Sequence, residues 1–213
     1  FLEGHPTAEG LDRVAGGRPV ILEHVSGHMM VANTRAFELA GYTARDGFPD
    51  IAGGGIPRDD SGRPEGLLQE SAMAPIFALV RPMDLDEVQR NLGLASDQAL
   101  SYGLTSVTEP GIGEIRMVGN SPLDYHAYQT AVERRLLRVR TTLMPYITVL
   151  HPFTDLPDKE MLGLDLGIRT GLGDDMLRVG PVKIVADGSF IGRSAAMHAC
   201  FHGEADNFGV LLH

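Results

Sequence analysis

From Gly103 onward, short apolar runs alternate with helical patterns, and this alternation limits the folds open to the chain more than any other feature. Residues 103–109 read as a strand, 121–134 as a helix, and 136–146 as a strand. Residues 151–176 read as a helix with a Gly/Asp-rich connection, and 177–186 as another strand. Strands separated by helices in this way pair in parallel through helical crossovers. The fold class is therefore α/β. Its chemistry is expected at the carboxyl ends of the strands, as in a (β/α)8 barrel or an open α/β sheet. Three strands end in reactive positions: Glu109, the Pro145-Tyr146 region, and Lys183 to Asp187. The pattern alone does not choose between barrel and open sheet.

The first part of the chain follows another rhythm. Residues 18–25 read as a short strand, with a turn at Ser26-Gly27-His28. Asn33-Thr34 caps a helix over 35–40, stopped by Gly41. Residues 53–64 are a turn-rich hairpin region, and 66–80 read as a helix ended by Arg81-Pro82. Asp84 caps a longer helix over 85–102, with apolar residues at Val88, Leu92, Ala95, Ala99 and Leu100. Two segments are expected: 1–82, with hairpins and short helices, and 83–213, the βα part.

Composition narrows the function classes. Of 213 residues, 43% are apolar, enough for a real core. The 28 acidic residues against 18 basic ones give a formal charge of −10, which argues against a nucleic-acid surface. No apolar run approaches the ~20 residues of a membrane span. No stretch at the start has the order of a signal peptide. The single cysteine, Cys200, excludes an internal disulfide and suits a reducing, cytoplasmic setting. Phe1 at the start and the apolar run 209–213 at the end read as cuts through a longer chain.

Lys183 lies in the apolar, β-branched run 179–192, followed at once by Asp187-Gly188-Ser189. An unpaired buried ammonium costs several kcal/mol, so such a lysine needs a partner or a task. It snorkels to water, pairs with Asp187 or Glu109, forms a Schiff base, stabilises an oxyanion, or takes up carbon dioxide as a metal-bridging carbamate. The eight histidines contain no His-x-His and no His-Glu-x-x-His. His198 and His202 flank Cys200 without a third ligand nearby, so they read as a polar loop. His28, on a Gly-His turn ahead of the Asn33 cap, reads either as a capping residue or as one beside a substrate cleft. Glu70 reads as a solvated helix residue unless a site lies above it. There is no Gly-x-Ser-x-Gly nucleophile elbow, and Gly53-Gly54-Gly55 is not a phosphate loop.

Four blocks, in order, resemble the YtcJ-like amidohydrolases, the amidohydrolase 3 group of the amidohydrolase superfamily. They are residues 18–41 with Gly27-His28 and Asn33, residues 54–70, residues 103–109, and residues 182–196 with Lys183 and Asp187. The resemblance spans nearly the whole chain. It implies a metal-dependent hydrolase of C–N, amide-type bonds on a (β/α)8 TIM barrel. This chain would supply about strands two to four and an inserted β-rich segment. The cofactor implied is a divalent metal, zinc, in the intact enzyme.

By that resemblance Lys183 is the metal-bridging, carboxylated lysine. Asp187 and Glu109 are the catalytic or site-lining carboxylates, and His28 and Asn33 face substrate. The His-x-His of strand one would precede Phe1. The histidines of strands five and six and the aspartate of strand eight would follow His213. The chain alone is then expected to be inactive, and its open strand edges call for cover by further copies in a homo-oligomer or by a larger surface. The expected partner is a small-molecule substrate, with neither nucleic acid nor membrane. Two other readings stay open: a non-catalytic α/β domain for ligand binding or assembly, and a Schiff-base enzyme using Lys183.

Overall fold

The computed structural model describes residues 4–114, 119–153 and 161–212. The chain divides into two units, Phe1–Val80 with Val185–His213, and Arg81–Ile184. The segment expected to run unbroken over 83–213 is therefore split. Its last part joins the first unit because side-chain and backbone hydrogen bonds tie it there, among them Gln69 Nε2 to the Gly192 carbonyl at 2.8 Å.

In the first unit, helix α1 (Ala8–Ala15) starts at Thr7, whose hydroxyl accepts from the Gly10 N–H, and ends at left-handed Gly16. Strands β1 (Ile21–Glu23) and β2 (Met29–Ala32) form an antiparallel pair, with Ile21 opposite Ala32. Helix α2 (Thr34–Leu39) follows from the Asn33 cap. Short β3 (Gly54–Gly55) and β4 (Leu67–Glu70) complete a sheet of order β1-β2-β4-β3. A single-turn helix, α3 (Ala74–Phe77), comes next.

Every residue of β2 is buried, because the sheet is covered on both faces. Met30, Ala32 and Leu68 pack with Phe37, Phe48, Met73, Ile76 and Phe77 on one side. Met29, Val31 and Leu67 pack with Leu11 of α1 on the other. The Phe37 and Phe48 rings meet edge to face at 5.1 Å.

The helix expected over 66–80 is corrected: residues 67–70 are strand, and helix begins only in the last turns. Leu67-Leu68 fits either period, and pairing with buried β2 decides for strand. Gly66 adds a constraint. It has φ +111°, and a Cβ there would lie 2.7 Å from the Ala8 nitrogen, so glycine is required. The strand expected over 18–25 contracts to β1 alone.

In the second unit, Asp84 caps α4 (Leu85–Ser101) through the N–H groups of Asp86 and Glu87. Strand β5 (Ser106–Ile112), helix α5 (Asp124–Glu133) and strand β6 (Arg140–Pro145) form a βαβ unit with β5 and β6 parallel. Two short strands of two residues each, β7 (His151–Pro152) and β8 (Leu162–Gly163), then pair antiparallel. Strand β9 (Leu177–Val179) then pairs in parallel with β6. The sheet order is β5-β6-β9.

Leu143 is fully buried at the centre of this sheet, with Ile112, Leu177, Tyr125 and Tyr128 around it. The helix expected within 151–176 is not seen among the described residues, where the β7–β8 pair and a single 3-10 turn at Asp165–Gly167 stand instead; residues 154–160 of that expectation lie outside the described residues. The last strand ends at Val179 rather than at 186, because Gly180-Pro181 breaks the ladder. Among the described residues no helix is long and apolar enough to cross a membrane.

Candidate functional site

His28 and Glu70 form the polar centre of the first unit. Met29 pairs with Gln69 in the β2–β4 ladder, so His28 and Glu70 are the next pair outward. The Glu70 N–H donates to the His28 carbonyl at 3.1 Å, which extends the ladder by that step. The side chains meet as well. His28 Nδ1 lies 2.9 Å from Glu70 Oε2 and 3.2 Å from Oε1.

Glu70 is 0% exposed, so its carboxylate must find its partners inside the protein. The second partner comes from the far end of the chain, where the Ser194 hydroxyl donates to Glu70 Oε1 at 2.6 Å. Ser194 Oγ in turn accepts the Ser189 N–H at 2.9 Å, which directs its own proton to the carboxylate. The backbone at Glu70 has φ +52° and ψ −128°, a region that glycine favours. A side chain held there costs about 1–3 kcal/mol, and such residues cluster at functional sites.

This arrangement has a chemical consequence for His28. With Nδ1 facing a carboxylate, that nitrogen carries the proton of the neutral ring, and Nε2 is left as the acceptor. The His28 side chain is 29% exposed, so a ligand can reach it. Sequence reasoning singled out His28 but placed Glu70 on a solvated helix face and did not weigh Ser194. The signal was a carboxylate following an apolar pair, legible only once residues 67–70 are a strand.

Asn33, expected to face substrate, is 1% exposed. Its Oδ1 accepts from the Val20 and Ala36 N–H groups, and its Nδ2 donates to the Arg18 carbonyl. Both ends of the amide thus hold backbone. Asp187 is half-buried, accepts the Ala196 N–H at 3.1 Å, and bridges to Leu211 through its backbone. His198, Cys200 and His202 are exposed.

In the second unit, Glu109 lies on the sheet face that packs on α5. It accepts a hydrogen bond from the Tyr128 hydroxyl at 3.2 Å. Burial raises the Glu109 carboxyl above the usual carboxylate range, opposed by the Tyr128 bond and reinforced by Asp124. Burial, and then the Glu109 charge, push the Tyr128 phenol up.

Lys183 sits beyond the end of β6, its backbone paired with Tyr146 through Lys183 N–H to the Pro145 carbonyl and Ile147 N–H to the Lys183 carbonyl. Its side chain is half-buried and makes no hydrogen bond or ion pair among the described residues. A largely apolar cavity of about 310 Å³ opens at the same edge of the sheet, lined by Ile112, Pro145 and Val179 at the strand ends and by Tyr125 and Asp165. Among the described residues no three of His, Cys, Asp and Glu come close enough to hold a metal ion.

The Amidohydrolase family matches this chain over residues 2–210. The chain is 30% identical over 210 residues to Protein LONG AFTER FAR-RED 3 of Arabidopsis thaliana, covering 96% of this chain and 34% of that protein. It is 26% identical over 207 residues to YtcJ of Bacillus subtilis (strain 168), covering 97% of this chain and 36% of that one. It is 35% identical over 107 residues to N-substituted formamide deformylase of Arthrobacter pascens, covering 48% and 19%. The crystal structure of an uncharacterized metal-dependent hydrolase from Pyrococcus horikoshii OT3 superposes with a TM-score of 0.54 at 17% identity, over 98% of this chain and 37% of that one. The chain thus spans about a third of the length of the first two relatives and of that structure.

Proposed function

The chain belongs to the amidohydrolase family, and from that premise we propose that it is part of a metal-dependent hydrolase of C–N, amide-type bonds in small molecules. The formamide chemistry in the name of one relative supports the bond type. We read β5, β6 and β9 as strands two to four of a (β/α)8 barrel, with the antiparallel sheet as the inserted β-rich segment. The carboxyl ends of those strands are then the chemical edge. A small-molecule substrate, a cytoplasmic setting and association with further copies complete the reading.

The observation that carries it is the position of Lys183, at the carboxyl edge of the parallel sheet with a side chain that makes no hydrogen bond or ion pair among the described residues. We assign Lys183 as the ligand of a divalent metal, zinc, after its neutral amine takes up carbon dioxide and releases a proton. Such a metal supplies an activated water and a polarised carbonyl. The described residues of this chain do not by themselves fit a metal, because no three of His, Cys, Asp and Glu converge among them. The roles left to this chain's residues are simpler and are proposed unit by unit. In the first unit His28 is a substrate contact and Asp187 a supporting carboxylate. In the second, Glu109 is a supporting carboxylate and the apolar cavity is a place for an apolar group.

The test is Lys183→Ala in the full-length protein, measured by metal content and by amide hydrolysis. Loss of stoichiometric metal together with at least a hundredfold loss of rate is the expected result. Full metal and full rate in that variant would overturn the assignment. A borohydride-stable adduct of a carbonyl compound on Lys183 would replace it with Schiff-base chemistry.

A further inference from the structure

We propose that Glu70 and Ser194 are positioning residues that lock His28 as a hydrogen-bond acceptor, its Nε2 taking an N–H or O–H group of the substrate. The inference deepens the reading of His28 as a substrate contact and rests on it for the identity of the ligand. The locking itself stands on geometry alone.

Three segments meet at one buried carboxylate. Glu70 is separated by 42 residues from His28 and by 124 from Ser194. A fully buried carboxylate with one serine and one histidine is an expensive way to build a sheet edge, since an apolar residue would pack there without desolvation cost. The backbone at Glu70 is also held in a glycine-favoured conformation. Two unfavourable choices at one residue mark a site kept for something other than stability.

What the carboxylate achieves is selection of one imidazole tautomer. An ionised carboxylate only accepts hydrogen bonds, so the nitrogen facing it must donate. Ser194 makes the arrangement one-way. Its Oγ already accepts from Ser189, so it donates to Oε1 and leaves Oε2 to His28. In the neutral ring Nε2 then carries the lone pair and can only accept. Among the described residues Nε2 makes no hydrogen bond, and the side chain is 29% exposed. A free acceptor of this kind recognises a neutral donor, such as the N–H of an amide or a hydroxyl. In that neutral form it has no N–H to donate to a carboxylate or a phosphate.

The experiment is long-range proton–nitrogen correlation NMR of the full-length protein labelled with nitrogen-15 histidine. The His28 signals are assigned by their loss in His28→Gln. Neutral His28 is expected as the Nδ1–H tautomer, with its Nε2 resonance shifting on titration with acetamide. Glu70→Ala and Ser194→Ala are expected to move the population toward the Nε2–H form, the first more than the second. An Nε2–H tautomer in the unmodified protein overturns the proposal, and that measurement needs no variant to fold. A tautomer unchanged in a folded Glu70→Ala also overturns it. The reading beneath it fails separately: if the tautomer is as expected but His28→Gln leaves KM for an amide substrate unchanged, the locking stands and the substrate contact does not.

Discussion

Tyr128 donates its hydroxyl to Glu109 across 3.2 Å and so fastens helix α5 to strand β5 from inside the second unit. The bond competes with burial, the larger influence, which lifts the Glu109 carboxyl above the usual range. The folded state therefore binds this proton more tightly than the unfolded chain does. The stability it brings is fully present below the unfolded carboxylate pKa and is lost as pH rises through the folded one. Glu109→Gln keeps an acceptor for Tyr128 and removes the charge. Its melting temperature is expected to exceed that of the parent by roughly 2 °C at pH 7 and to match it at pH 4. Melting curves at the two pH values decide; a gain confined to pH 4 would reverse the sign.

Asp124 holds the turn before α5. It is 4% exposed, and its carboxylate accepts from the N–H groups of Gly113, Asn120 and Ser121. Asp124→Ala leaves three donors without that partner. A loss of about 2–3 kcal/mol is expected, read as a lower urea midpoint with an unchanged slope.

Gly66 admits no side chain. Gly66→Ala forces a Cβ to 2.7 Å from the Ala8 nitrogen at a φ of +111°. It is expected to cost at least about 2 kcal/mol and to loosen α1 from the sheet. Hydrogen exchange over α1 that stays as slow as in the parent would contradict this.

Asn33 separates structure from recognition. With its amide on three backbone groups, Asn33→Ala is expected to lower stability by about 2 kcal/mol, of which the helix cap is about half. In folded protein at low temperature KM for an amide substrate is expected to be unchanged. A raised KM with unchanged stability would return Asn33 to the substrate site.

Metal binding offers a further test. Since no three ligands converge among the described residues, the 213-residue chain is expected to bind less than one equivalent of zinc and not to hydrolyse amides. Calorimetric titration with zinc checks it; stoichiometric binding with amidase activity would overturn it.

The readable parts of the sequence were those governed by near neighbours. Helix α4 is announced by Asp84 and the spacing of Val88, Leu92 and Ala95, and it forms within a residue of the expected bounds. Strands β5 and β6 are visible as β-branched runs between helical stretches, and they pair in parallel as that alternation requires. Residues 66–70 were not readable, because Leu67-Leu68-Gln69-Glu70 satisfies a helix and a strand equally. The choice is made by Met29–Ala32, which pairs with it from far along the chain. The candidate site suffers from the same distance. His28 was visible as an unusual turn residue, but its partners become neighbours only after the sheet has formed and the 185–213 segment has folded back onto it.

The ladder between β2 and β4 carries a consequence beyond packing. Met30 opposite Leu68 sets the register in the core, and His28 opposite Glu70 inherits it two steps outward. A slip of one residue would send Glu70 to the other face of the sheet, away from both His28 and Ser194. The imidazole proton therefore works as a built-in gauge of strand alignment. A molecule that has folded with β4 misregistered can keep its secondary-structure content and much of its compactness, yet it will announce the error through a single nitrogen resonance.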